Sequence, residues 1–347
     1  MSEESDAETR KIQLTGKSTY IVSLPKKWVT NMNLKPGSQV VLSKQSEASL
    51  LLTPKELVKP EKAPEASIIV KQKDQPDSIM RKIVALYLVG YNHIRIKTKD
   101  ERITSLHRSY IKDLTRKKLV GTEIISDSPT EMVLQILLSY PELSVESALR
   151  RMCFIAASMH EDAMQALKDL NRELARDVIA LDDEVDRFSL YIIRQLKAAV
   201  QSERVLKDIG LSNPRDCLGY RVIAKSVERI ADHAVKIAEN VLSLNEKMDE
   251  PIFRKMLELS SFARSVFDDS IKSLYKKDYS LADDVVAKAK KIASMENEAI
   301  RAMSKKVEAT EMSSARMIME SIRRTAEYAS DIAEIVLNLN VNQITEA

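Results

Sequence analysis

Glycine is scarce in this 347-residue chain, with six in all, aromatic residues supply 5%, and tryptophan occurs once. Fourteen methionines and abundant Ala, Leu, Glu and Lys stand against that scarcity and favour helix over most of the length. No apolar run approaches the eighteen residues that would suggest a membrane span. The opening MSEESDAETRK is acidic and polar and has no apolar stretch of the kind a secretory signal needs. Two cysteines, Cys153 and Cys217, give neither a disulfide framework nor a metal-ligand spacing, so reduced thiols and a cytoplasmic setting are expected.

What is present is a 44% hydrophobic, 30% charged composition with ample material for a core, at a length that suits two or three domains. The net charge of +3 conceals a division. Residues 10–59 hold nine Lys/Arg against two Glu, residues 65–140 thirteen basic against nine acidic, and residues 141–347 thirty-one against thirty-five. A basic front and an acidic rear suggest two kinds of partner.

The front reads as β-rich. IQL (12–14), TYIVSL (19–24), QVVL (39–42) and SLLLT (49–53) have strand composition, with turns at Gly16 and Pro36-Gly37 and a short helix in PKKWVTNM. About 50 residues of this kind bury too little to stand alone, so pairing with a second copy, a homodimer, is expected. TPKELVKPEKAPEA (53–66) reads as a linker. The stretch RKIQLTGKSTYIVSLPKKWVTNMNLKPGSQVVL resembles the AbrB/SpoVT swapped-hairpin DNA-binding family, with the G-x-S-T-Y-x-V-S-L-P-K-x-W pattern seen in archaeal members. The resemblance covers about 9–54 and implies a dimer whose basic loops and strands grip DNA. Arg10, Lys11, Lys17, Ser18, Tyr20, Lys26 and Lys27 are then the candidate DNA-binding residues. A solvated basic face, or a domain that only dimerises or meets protein partners, is the competing reading, and Trp28 is read as core.

Residues 67–138 alternate strand and helix: SIIVK, PDSIMRKIVALYLVG, HIRIK, ERITSLHRSYIKDLTRKK, then a hairpin of GTEIIS and TEMVLQIL around Asp127-Ser128-Pro129. A small α/β domain with a regulatory or dimerising role is expected, since it holds no phosphate loop or nucleophile motif. Residues 142–342 carry apolar residues at i, i+3, i+4 and i+7 and are read as all helix. GYRVIAKSVERIADHAVKIAENVL (219–242) aligns without gaps on SARMIMESIRRTAEYASDIAEIVL (314–337), identical at 11 of 24 positions. Two three-helix bundles, about 142–247 and 251–342, follow.

In VERIADHAVKIAENV the acids Glu228, Asp232 and Glu239 line up beside an apolar stripe, and LDDEVDR offers Asp182 and Asp186 one turn apart on the preceding helix. Like charges at i,i+4 repel, so either a cation lies between the two acidic lines or the faces are solvated. Hard oxygen donors on facing helices of a bundle suit Mg²⁺, Mn²⁺, Fe or Ca²⁺. Lys236, four residues beyond Asp232, is an alternative counter-charge, and His233 points about 100° away and is read as a packed or capping histidine.

ERIADHAVKIAE on the third helix of a duplicated unit resembles the PhoU family over the whole C-terminal segment. That resemblance implies metal clusters and a role in phosphate uptake and its signalling. It places an acid-x-x-x-Asp motif at Glu228 and Asp232, with Asp182, Asp183 and Asp186 as neighbours, and a divalent or trivalent metal (Fe, Mn, Mg or Zn) as cofactor. Repeat two departs from it, having Arg323 opposite Glu228, and leaves a weaker or absent second site at Glu296, Glu327 and Asp331. The function expected is a phosphate-responsive, DNA-binding regulator and not an enzyme, with phosphate-transport or signalling proteins as further partners. A metal-free helical adaptor and a weak carboxylate-metal hydrolase are the alternatives. An oxidase is disfavoured because His93, His107, His160 and His233 are scattered and make no Glu-x-x-His pair.

Overall fold

The apolar and β-branched runs of the basic front form two separate hairpins. In the computed structural model, which describes residues 8–345 apart from 17, 47–48, 58–63, 138–142 and 304–308, β1 (Gln13–Thr15) pairs antiparallel with β2 (Thr19–Ile21), and β3 (Val40–Ser46) with β4 (Ser49–Pro54). Gly16 supplies the left-handed residue of the first turn at φ +62. Helix α1 (Lys26–Asn31) begins just after Pro25, whose fixed φ of −58 leads into it. Residues 1–62 form one compact unit and 63–347 another. Among the described residues of the first unit Pro54 is the single buried position, and Leu14 (60%) and Leu42 (62%) stay exposed. Two-stranded hairpins without a covered apolar face are marginal in water.

In the second unit β5 (Glu65–Val70) runs parallel to β6 (His93–Thr98), joined through α2 (Pro76–Val89). Helix α3 (Ser105–Lys118) then leads to the hairpin β7 (Thr122–Asp127) and β8 (Glu131–Ile136), giving the sheet order β5-β6-β8-β7. The turn is the expected Asp127-Ser128-Pro129, where Ser128 Oγ accepts from the Glu131 amide at 3.1 Å. Thr104 caps α3 by accepting from His107 N, so the helix starts four residues later than the run beginning at Glu101 suggests. Ile79, Ile83, Ile94, Ile96, Met132 and Leu134 make the core of this layer.

The remainder is helical: α4 (Val145–Asp169), α5 (Arg172–Gln201), α6 (Glu203–Asp208), α7 (Asp216–Ser243), α8 (Glu250–Lys276), α9 (Tyr279–Ala289), α10 (Ile292–Met303) and α11 (Ala309–Leu339). The duplication is visible in the turns as well as the helices. Leu170 after α4 and Lys277 after α8 both adopt φ +53, and each is followed by a side-chain cap, Asn171 on α5 and Asp278 on α9. Two departures from six helices appear among the described residues. The stretch 202–214 contains the short α6, and the middle helix of repeat two is divided at Lys290–Lys291 into α9 and α10. Helices α7 and α11 approach so closely at Gly219 that a Cβ there would lie 2.9 Å from Ile335 Cγ2.

The α/β layer docks on α5. Arg194, 3% exposed, donates to the carbonyls of Tyr87, Gly90 (3.3 Å) and Tyr91 (3.1 Å) and to Asn92 Oδ1 (2.7 Å). These are acceptors at and just beyond the C-terminal end of α2, where a positive charge also meets the helix dipole favourably.

Candidate functional site

Helices α5 and α7 are neighbours, with Asp182 and Asp186 of α5 near Glu228 and Asp232 of α7, while Glu239 is exposed. Burial pushes the Asp182 carboxyl up to about 7, with the charges of Asp186, Asp232 and Glu228 adding to the rise. Glu228 is raised by burial and by Asp232 and Asp186, and Asp232 by burial and by Asp186. Four carboxylates from two helices therefore share one partly dry volume. Asp182 Oδ1 is buried and makes no hydrogen bond.

Three side-chain cations form ion pairs with acids of this cluster. Lys118, in the last turn of α3, places Nζ 2.7 Å from Asp186 Oδ2 and 3.3 Å from Asp183 Oδ1. Its neighbour Lys117 lies 3.6 Å from Asp183 Oδ2. Burial works against the Lys118 charge, but Asp186 and Asp183 hold its pKa above the ordinary lysine value. Lys225 pairs with Glu228 from three residues away on α7. The counter-charges at Asp186 and Glu228 are thus Lys118 and Lys225, while Lys225, then Lys236 and Arg229, act on Asp232. The carboxylate oxygens are of the type that suits a hard cation, and the orphaned Asp182 oxygen fits one. Yet among the described residues no three His, Cys, Asp or Glu side chains are grouped closely enough to hold a metal as they stand.

The corresponding place in repeat two contains its own cation. Arg323 Nε lies 2.8 Å from Glu296 Oε2 on α10, and the same guanidinium pairs with Glu327 on α11. Arg324 adds an ion pair to Glu327 at 3.1 Å. Asp331 is raised by burial and by Glu327, with Arg229 of repeat one opposing. His233 is buried in the α7–α11 seam with its ring 5.8 Å from that of Tyr328, and burial lowers its pKa to about 4, as for a packed histidine.

A cavity of about 750 Å³ lies between α2, α3 and α5. Its walls include Met80, Val84, Leu88 and Tyr110 beside Lys118 and Asp186, so it adjoins the acidic cluster. Lys117 and Lys118 at the cluster, and Arg194 at the layer contact, are side chains to which spacing alone does not point. A trace of the first two is the basic RKK ending α3, which reads equally as a dipole-matched helix end. In the first unit Lys11, Ser18, Tyr20, Lys26 and Lys27 face solvent and Arg10 pairs with Glu8, while Lys17 lies outside the described residues.

A duplicated helical bundle, with α7 and α11 as the corresponding helices of its repeats, defines the class of protein. The profile described as PhoU domain matches residues 149–241 and 256–336, together half of the sequence, and the chain belongs to that family. The profile described as antidote-toxin recognition MazE, bacterial antitoxin, matches residues 13–60, in keeping with the swapped-hairpin resemblance of the head. Similar proteins include the phosphate-specific transport system accessory protein PhoU homolog 1 of Thermotoga maritima, 24% identical over 57% of this chain and 87% of that protein. The corresponding homolog of Clostridium acetobutylicum is 24% identical over 56% of this chain and 90% of its own length. Among solved structures, PhoU from Pseudomonas aeruginosa superposes with a TM-score of 0.50 at 22% identity, covering 57% of this chain and 96% of that one. PhoU from Streptococcus pneumoniae gives 0.50 at 20% identity, with 58% and 96% covered. No helix among the described residues is long and apolar enough to cross a membrane.

Proposed function

We propose that this chain is a non-enzymatic regulator of phosphate uptake that binds DNA through residues 9–54 and senses phosphate or metal status through its PhoU-like bundle. The carrying observation is the union in one chain of a basic head of the swapped-hairpin type with a bundle similar to phosphate-transport accessory proteins. The exposed leucines of the head support a homodimer, in which two sets of hairpins cover each other. Arg10, Lys11, Lys26 and Lys27 would then meet phosphates, and Ser18 and Tyr20 would donate hydrogen bonds to them. A metal held by Asp182, Asp183, Asp186, Glu228 and Asp232 would supply fixed positive charge between α5 and α7, with Glu296, Glu327 and Asp331 as a lesser site.

Fluorescence anisotropy with duplex DNA tests the head. Every lysine taken off a DNA phosphate should flatten the dependence of log K on log salt by roughly 0.9. Replacing Lys26 and Lys27 with Ala should therefore weaken binding at low salt and flatten that slope while leaving the dimer intact. A dimer that binds no DNA at about 50 mM salt, where phosphate-driven binding is strong, would discard the DNA reading and leave a protein partner for the head.

The lysines and arginine seated among the acids favour a second reading, a metal-free helical adaptor of a phosphate transporter or kinase. Metal analysis of the purified protein beside Glu228→Ala/Asp232→Ala separates the two. A wild type that holds metal which the variant does not hold supports the sensor, and equal, near-zero metal in both supports the adaptor.

A further inference from the structure

We propose that Lys118 competes with metal for the repeat-one cluster, so that metal between α5 and α7 and the seating of the α3 end on α5 exclude each other. This competition presupposes the metal site proposed above and concerns how that site is regulated. Lys118 belongs to the α/β layer, 64 positions before Asp182 in sequence. Its Nζ nevertheless bridges Asp186 and Asp183 at 2.7 and 3.3 Å. Asp182 on the same helix keeps a buried oxygen without a hydrogen bond. The acids therefore exceed what the lysine satisfies, while its ammonium occupies Asp186, which an ion would need.

Of the other cations named in the cluster, Lys117 alone also spans the two layers. Lys225, Lys236 and Arg229 all act on Asp232 from α7 itself. Lys117 is on α3 but reaches only Asp183, at 3.6 Å, and is largely exposed. The cavity of about 750 Å³ beside Lys118 gives the displaced side chain somewhere to go without rebuilding the core. Arg194 holds the other end of the layer at α2, so displacement frees the end of α3 and leaves the α/β layer attached. A metal thus acts on α3 by favouring the state in which Lys118 has left, and its effect is limited to that difference in affinity.

The experiment is isothermal titration of Mn²⁺ into the full-length, metal-stripped protein as wild type, Lys118→Met and Lys118→Arg. If the cluster is free of Lys118 in about one molecule in ten, Lys118→Met should bind Mn²⁺ roughly tenfold more tightly, while Lys118→Arg gains nothing. Equal affinity in all three overturns the competition and leaves the metal site standing. Absence of Mn²⁺ binding in all three overturns the metal site and the competition together. Deuterium exchange on the wild type reads the same event without a variant. Mn²⁺ should speed exchange of amides in 112–118, and unchanged exchange in a protein that binds Mn²⁺ overturns the displacement.

Discussion

The two repeats are built from similar helices and arrive at different solutions to the same charge problem. In repeat one, Glu228 and Asp232 on α7 face Asp182 and Asp186 on α5, and a principal counter-charge, Lys118, comes from another layer of the unit. In repeat two, the position of Glu228 is taken by Arg323, which bridges Glu296 and Glu327 from within the repeat. The repeat-two cluster is neutralised from within, and the repeat-one cluster combines cations of its own helix α7 with one from the α/β layer.

The largest effect should come from removing the internal cation. Arg323→Ala takes the ion pair from half-buried Glu296 and leaves Glu327 only Arg324, and stability should fall by about 2 kcal/mol. Glu228→Ala, at the equivalent position of repeat one, removes one of several mutually repelling acids and should be near neutral in chelator. Urea unfolding of both variants at pH 7 reads the difference. Equal destabilisation would mean that the repeats are electrostatically alike.

A middle-sized effect is expected from pH. The Asp182 carboxyl sits at about 7 in the fold against an ordinary 3.8, raised by burial and then by Asp186, Asp232 and Glu228. The folded chain therefore holds this proton more tightly than the unfolded chain. Its contribution is fully present below about pH 4 and is lost as pH rises through 7. Asp182→Asn should abolish that decline, leaving the variant more stable than wild type at pH 8 by about 1 kcal/mol after screening. Melting curves at pH 5 and 8 in chelator check it, and an unchanged pH dependence would show that the site is wetter than its burial suggests.

The same contrast explains what was legible in the sequence. Helical periodicity survives in every repeat helix because each buries one stripe, and Val227, Ile230, Ala234, Ile237 and Val241 are all buried as their spacing requires. The acidic lines of α5 and α7 were legible for the same reason, since a 3.6-residue period fixes which side chains share a face. The partner of those lines was not. Lys118 reaches them through the docking of a different layer, and no local period encodes its meeting with Asp186, 68 positions away. Arg194 was hidden likewise, because its partners are mostly backbone carbonyls, which any sequence supplies. The split at Lys290–Lys291 escaped because both halves keep the helical period and neither Gly nor Pro marks the break.

The smallest effect concerns whether the repeats communicate. Arg229 on α7 opposes the raised pKa values of both Asp232 in repeat one and Asp331 in repeat two, and its guanidinium lies 5.4 Å from the Tyr328 ring centre. One cation is thus shared between the clusters. Asp331→Asn should leave more of its field to Asp232, and Asp232→Asn more to Asp331. A double-mutant cycle of the two substitutions, measured by urea unfolding at pH 7, should give a coupling of a few tenths of a kcal/mol, near the lower end of what neighbouring sites display. Repeating the cycle on an Arg229→Met background should remove that coupling if Arg229 carries it. Strict additivity in both backgrounds would make the two clusters electrostatically independent.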